Sequence, residues 1–217
     1  MSKEIWKKWI SYLIPQTRFV PSRINPHLEV GWIEGRKVLD SKYTNYSYGP
    51  LQEVLEYGLK KISFQNIKSV LILGMGAGSV IKSLRNKFNY NHEIVAVELD
   101  PIVIQIADEE FDIKSEGNLK IICEDAVGFI AATQQTFDLI IIDVFIDKEV
   151  PEKIYLENFW LDIALITNEN GKVLFNAGVE VLDEKTQIIF LEQLPAIFNY
   201  TIFNGVMGGN TLILLEK

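Results

Sequence analysis

The chain has 217 residues, room for one domain with a small appendage. Its 48% hydrophobic and 23% charged content supports a buried core and argues against wholesale disorder. A formal charge of −8 argues against a nucleic-acid backbone as the main partner, because that requires a basic footprint. One cysteine, Cys123, leaves no internal disulfide framework and fits a reducing, cytoplasmic compartment.

Taken in order, the elements begin with "MSKEIWKKWISYLIP". This reads as an amphipathic helix with Ile5, Trp6, Trp9, Ile10 and Leu13 on one side. Its apolar part is too short and too broken by lysines for a signal peptide. The apolar side is expected to pack on the body of the protein or on a second subunit, with membrane-surface contact as the alternative. Residues 28–40 read as two short strands around a turn at Glu34-Gly35. Residues 41–50 are turn-rich, and 51–62 read as a helix with Pro50 near its start. Residues 1–50 thus form a helix and a small β-hairpin region, and 51–217 a nucleoside-binding catalytic domain.

From residue 69 short β-branched runs alternate with helical stretches. Strands are expected at 69–73, 93–98, 119–123, 137–143 and 171–176, and helices at 77–88, 101–111, 126–133 and 151–167. This is a βαβ rhythm, so the sheet is parallel, covered on both faces and doubly wound. A helix near 183–194 and two strands around a Gly-rich turn follow, which makes an antiparallel hairpin. The result is a mostly parallel, seven-stranded α/β sheet. Cys123, inside an apolar run, is expected to be a buried small hydrophobe. His27 and His92 stand apart with no ligand spacing, so no metal site is expected. No apolar run reaches about 18 residues, so no stable membrane insertion is expected.

Ligands of such sheets sit beyond the carboxyl ends of the strands. After the first strand comes "GMGAGS", with Gly74, Gly76 and Gly78 at alternate positions around Ala77. Glycine lets the backbone approach a ligand closely, and the following helix offers free N–H groups. Ser79 stands where a dinucleotide fingerprint wants its third glycine, which ranks a dinucleotide oxidoreductase last. Glu98 ends the second strand, 24 residues beyond Gly74, where a carboxylate can accept both ribose hydroxyls. Asp100 reads as the N-cap of the next helix. Asp125 follows the third strand and is either an acceptor for an adenine amino group or another N-cap. Asp143 ends a fully apolar strand, where a carboxylate is costly unless partnered. Three such acids beside a glycine corner point to an adenosine-type ligand.

"VLILGMGAGSV", "VAVELDPIVIQIADEEF", "LKIICEDAVGFI" and "FDLIIIDVF" resemble, in order and spacing, the core of spermidine synthases, over about residues 28–178. These belong to the S-adenosylmethionine-dependent methyltransferase superfamily, and the C-terminal hairpin resembles the class I, Rossmann-like form of that fold. The resemblance implies S-adenosylmethionine or its decarboxylated form as donor, a small-molecule acceptor, no metal, and a homodimer or higher homo-oligomer. It implies Gly74, Gly76, Ala77, Gly78, Glu98 and Asp125 as donor contacts, Asp143 and Tyr48 as catalytic residues, and Asp147 as an acceptor contact. Asn176, after the fifth strand, is a further acceptor contact read from its position.

Two departures from the family pattern matter. The family's glycine corner carries an acid where this chain has Ala77, and its second strand-four acid falls on Ile146, with Asp147 one residue late. Ala77 removes a charge that would repel the carboxylate of ordinary S-adenosylmethionine. The expected activity is therefore group transfer, foremost methyl, to a small nucleophile. A true aminopropyltransferase is the alternative, and a non-catalytic nucleoside-binding protein the second alternative.

Overall fold

The computed structural model describes residues 3–24, 27–41, 45–48, 50–146, 149–179 and 190–217. The chain opens with α1 (Lys3–Ile10) and a four-stranded antiparallel sheet. Its strands are β1 (Gln16–Val20), β2 (Leu28–Ile33), β3 (Arg36–Asp40) and β4 (Asn45–Ser47), paired in that order. Glu34 and Gly35 join β2 to β3 with φ of 48° and 74°, the left-handed pair that a tight hairpin turn requires. The expected hairpin is thus extended on both sides by β1 and β4, both short and polar enough to read as loop.

Of the apolar side expected to pack on the body, only Ile10 is half-buried; the other four residues are exposed. Glu4 accepts a hydrogen bond from the Trp32 indole at 3.0 Å, and the Lys8 ammonium lies over the Trp32 ring at 5.8 Å. The Ser11 hydroxyl accepts from the Gly35 amide at 2.9 Å. These polar contacts seat the helix, and Ile5, Trp6 and Trp9 face outward, with Leu13 in the turn beyond the helix end. Trp32 favours this orientation, because its indole N–H finds Glu4 and its ring finds Lys8, beside Lys37 of β3.

α2 (Pro50–Leu59) leads into the alternating core: β5 (Ser69–Leu73), α3 (Ser79–Asn86), β6 (Glu93–Glu98), α4 (Pro101–Phe111), β7 (Leu119–Cys123), α5 (Ala126–Ala132), β8 (Phe137–Ile142), α6 (Glu157–Ile166) and β9 (Thr167–Val179). β10 (Asn199–Val206) and β11 (Asn210–Glu216) close the sheet. The spatial order is β10-β11-β9-β8-β5-β6-β7, parallel from β9 to β7, with β10 and β11 antiparallel. β5 and β8 are central and covered on both faces, which is why "VLIL" and "LIII" carry no polar alternation. Side-chain alternation splits the core. Val70, Ile72, Ile94, Ala96, Leu139 and Ile141 meet α2, α3 and α4 on one face. Leu71, Leu73, Val97, Ile140 and Ile142 meet α5 and α6 on the other. Burying each such aliphatic side chain contributes about 1.5–3 kcal/mol before entropy is counted.

Several boundaries differ from expectation. α3 begins two residues later than the apolar pattern, because Gly78 sits at φ 85°, outside the helix. The expected helix over 151–167 splits into a 3₁₀ turn at Glu152–Tyr155 and α6, separated by extended Leu156. Of the helix expected near 183–194, residues 183–189 lie outside the described residues, and 190–192 are helical. Cys123 is exposed, not buried, because β7 is the edge strand and Cys123 is its last residue.

Candidate active site

The register lines up the strand ends. Leu73, the last residue of β5, pairs with Val97 on one side and Ile142 on the other, and Ile142 pairs with Phe175. Glu98, Gly74, Asp143 and Asn176 therefore each stand one step past the same line. They share the alternation of Ala96, Ile72, Ile141 and Leu174, which sends all four toward the face of α2, α3 and α4. The chain runs from β5 to β6 and β7 on one side, then crosses to β8 and β9 on the other. This switch in strand order opens the crevice.

The glycine corner fits around its neighbours. Gly74, Gly76 and Gly78 have φ of 82°, 55° and 85°, conformations that L side chains rarely adopt. A Cβ on Gly74 would stand 2.2 Å from the Asp143 carbonyl oxygen, and one on Gly78 would meet Ile113 at 2.8 Å. The two side chains of the corner, Met75 and Ala77, are buried in the core. The loop therefore offers backbone to the crevice. Gly78 supplies no side-chain cap to α3, so the helix start keeps N–H groups for an anionic ligand group.

Glu98 is almost wholly buried. Its Oε2 accepts from the Gly76 amide at 2.9 Å and its Oε1 from the Asp100 amide at 3.0 Å. Burial pushes the Glu98 carboxyl above its ordinary range, against the pull of those two amides. Each oxygen retains a second lone pair, the acceptors a vicinal diol needs. Asp100 is the N-cap of α4, accepting from the Ile102 amide at 2.9 Å, and its other oxygen bonds the Ser22 hydroxyl. The small sheet is thereby tied to the crevice wall.

Asp143 is partly buried, and its Oδ1 accepts from the Asn176 amide group at 2.8 Å. Burial raises its carboxyl to about 6, with the Asn176 hydrogen bond acting in the opposite direction. Asn176 is fully buried, and its own oxygen accepts from the Gly178 amide at 3.1 Å. The structure thus places Asn176 behind Asp143, with both ends of its amide engaged by the protein.

Asp125 is the N-cap of α5, accepting from the Val127 and Gly128 amides at 2.8 and 3.4 Å. Its second oxygen pairs with Lys153, from the 3₁₀ turn after β8. Burial works to raise the Asp125 carboxyl, but Lys153 and the two amides outweigh it and the net shift is downward. Lys153 escaped the sequence reading because nothing in "VPEKIY" marks a lysine that reaches back to the end of β7. Leu99, an exposed apolar side chain between Glu98 and Asp100, was also missed; exposure cannot be read from a single residue type.

Among the described residues Tyr48 makes no hydrogen bond to Glu98, Asp125 or Asp143. Its ring stacks on Phe111 with centroids 4.2 Å apart, and the Lys82 ammonium lies 5.0 Å above it. Its φ is 66°, and its hydroxyl is buried with no hydrogen-bond partner among the described residues. Asp147 lies outside the described residues. Among the described residues no group of three or more His, Cys, Asp or Glu side chains forms a metal-binding cluster.

The family model for the spermine/spermidine synthase domain matches residues 52–203. The chain belongs to that family. A polyamine aminopropyltransferase of Buchnera aphidicola is 28% identical over 147 residues, covering 65% of this chain and 51% of the relative. The chain thus spans about half the length of the curated relatives it matches. Among solved structures, a probable spermidine synthase from Corynebacterium glutamicum superposes with a TM-score of 0.65 at 16% identity, covering 94% of this chain and 77% of that one. Human methyltransferase-like protein 13, in complex with SAH, superposes with a TM-score of 0.64 at 21% identity, covering 78% and 82%. The fold is that of the class I, Rossmann-like methyltransferases, with the small N-terminal sheet added.

Within this spermine/spermidine synthase fold, the two departures seen in the sequence occupy different environments. Ala77 is enclosed in the core beneath α3, and Ile146 is exposed in the loop after β8, bridged to Glu149.

Proposed function

We propose that the crevice binds S-adenosylmethionine and that the protein transfers a group from it, foremost methyl, to a small-molecule nucleophile. The observation that carries this reading is the placement of Glu98 and Asp143 on either side of Gly74, one step past the central strand. The residues present suit the donor. Glu98 offers acceptors to the ribose, Leu99 and Asp125 flank the adenine position, and the backbone of 74–79 faces the amino-acid end.

When bound, the donor supplies an electrophilic carbon on a sulfonium that is already a good leaving group. The protein's own work is then positioning and exclusion of water. Asp143, raised to about 6, is ionised at neutral pH and accepts a proton from, or orients, the nucleophile. Asn176 holds that carboxylate in place. The glycine corner, with its Cβ-free approach and no side-chain cap from Gly78, leaves N–H groups at the start of α3 for the donor carboxylate.

Titration calorimetry with S-adenosylmethionine and with its decarboxylated form tests the choice of donor. Tighter binding of ordinary S-adenosylmethionine supports the reading; a clear preference for the decarboxylated form overturns it. The second reading, aminopropyl transfer, is favoured by the family and by relatives named polyamine aminopropyltransferase. Incubation with putrescine and the decarboxylated donor, followed by mass spectrometry, decides it by the presence or absence of spermidine.

A further inference from the structure

The first helix is seated the wrong way round for a helix that serves only the fold. An amphipathic helix on a globular body buries its apolar stripe and exposes its charges. In α1 Glu4 and Lys8 meet Trp32 of the body while Lys7 and Lys8 stay solvent-exposed on the flanks, and the side bearing Trp6 and Trp9 faces away. Trp6 is 59% exposed, Trp9 66% and Leu13 86%, with Ile5, Tyr12 and Ile14 also exposed beside them. Monomeric proteins rarely leave so many large apolar side chains in one contiguous stretch, and such patches mark interaction surfaces.

Charge selects the partner. The eight residues of α1 contain three lysines and one glutamate, a net +2, within a chain of net −8. Everything outside α1 therefore carries −10. A two-fold contact between copies would set this basic segment against itself. Tryptophan with flanking lysine on one short helix is the composition that suits the boundary between water and an anionic bilayer. The indoles enter the headgroup region and the lysines meet phosphate. The acidic remainder is repelled by the same surface, which orients the molecule with α1 toward it.

We propose that α1 and the turn after it form a peripheral docking surface for an anionic lipid bilayer. Contact is reversible, because one short helix without a lipid anchor gives only marginal membrane affinity. No described helix is long and apolar enough to cross the bilayer, so the helix lies on it.

The test is flotation of the full chain with vesicles of phosphatidylcholine and phosphatidylglycerol in equal parts, beside vesicles of phosphatidylcholine alone. Binding to the mixed vesicles, a blue shift of tryptophan emission and loss of binding at high salt are expected. Trp6→Ser with Trp9→Ser should weaken vesicle binding at least about tenfold, with the melting temperature unchanged because both side chains are solvent-exposed. Absence of vesicle binding overturns the proposal, as does equal binding to neutral vesicles. Sedimentation of the same proteins without lipid supplies the remaining outcome. A dimer that the double variant abolishes, in a protein that ignores vesicles, assigns the face to a second copy and overturns the lipid reading.

Discussion

The Asn176 side-chain amide donates to Asp143 Oδ1 at 2.8 Å, while its oxygen is held by the Gly178 amide, so a fully buried asparagine on β9 fixes the carboxylate at the end of β8. The two residues face each other because Ile142 and Phe175 pair in register immediately before them. Asp143 is thereby oriented from behind through one oxygen, and in the proposed reaction its second oxygen serves the nucleophile.

Turnover should follow the ionisation of Asp143. The protonated acid is inactive as a base, so the rate should rise with pH and level off above about 6. Asn176→Ala removes a hydrogen bond that favours the charged form, which should move the midpoint upward by about one pH unit. A pH–rate profile of both proteins checks this; an unmoved midpoint would separate Asn176 from the chemistry.

The same carboxyl weighs against folding. Its folded value of about 6 lies above the ordinary unfolded value near 3.9, so the folded state holds the proton more tightly. The cost is absent below about pH 4, grows through the window between the two values and is complete above about 6, at most about 3 kcal/mol. Asp143→Asn should gain stability relative to the parent between about pH 4 and neutrality while losing turnover. Denaturant unfolding at the two pH values measures the gain.

Gly74 and Gly117 both have positive φ, 82° and 59°, but only one is crowded. A Cβ at Gly74 meets the Asp143 carbonyl at 2.2 Å, and one at Gly117 meets nothing within 4 Å. Gly117→Ala should cost about 1 kcal/mol, the strain of the left-handed backbone alone. Gly74→Ala should cost about 3 kcal/mol or more and displace the end of β8, with donor binding lost. Thermal unfolding of the two variants side by side distinguishes strain from collision.

Glu98→Gln keeps one acceptor and replaces the other with a donor that faces a backbone N–H. Donor affinity should fall at least about tenfold, seen by calorimetry. A wild-type affinity in this variant would remove the ribose from Glu98.

The parts of the fold that announce themselves are those bracketed by backbone chemistry. β5 stops before Gly74, α4 starts after its cap Asp100, β6 ends at Glu98 and β7 stops before Glu124, so their observed limits coincide with the apolar runs. The strand-end acids were legible for the same reason. What remained hidden depends on neighbours distant in sequence. β1 and β4 gain strand character only by pairing with β2 and β3. Cys123 is exposed because β7 has a partner on one side only. Lys153 reaches Asp125 across the loop after β8, and Trp32 turns α1 over; periodicity within one segment encodes neither. Tyr48 shows the limit of motif matching: the sequence marks a tyrosine near the core, and the structure stacks it on Phe111.

The most direct test of the account is a crystal structure of the protein grown with S-adenosylhomocysteine. The ribose hydroxyls should lie within hydrogen-bond distance of Glu98, the adenine beside Leu99 and Asp125, and the sulfur toward Asp143. A nucleoside bound elsewhere, or an ordered crevice that excludes it at saturating concentration, would contradict the account.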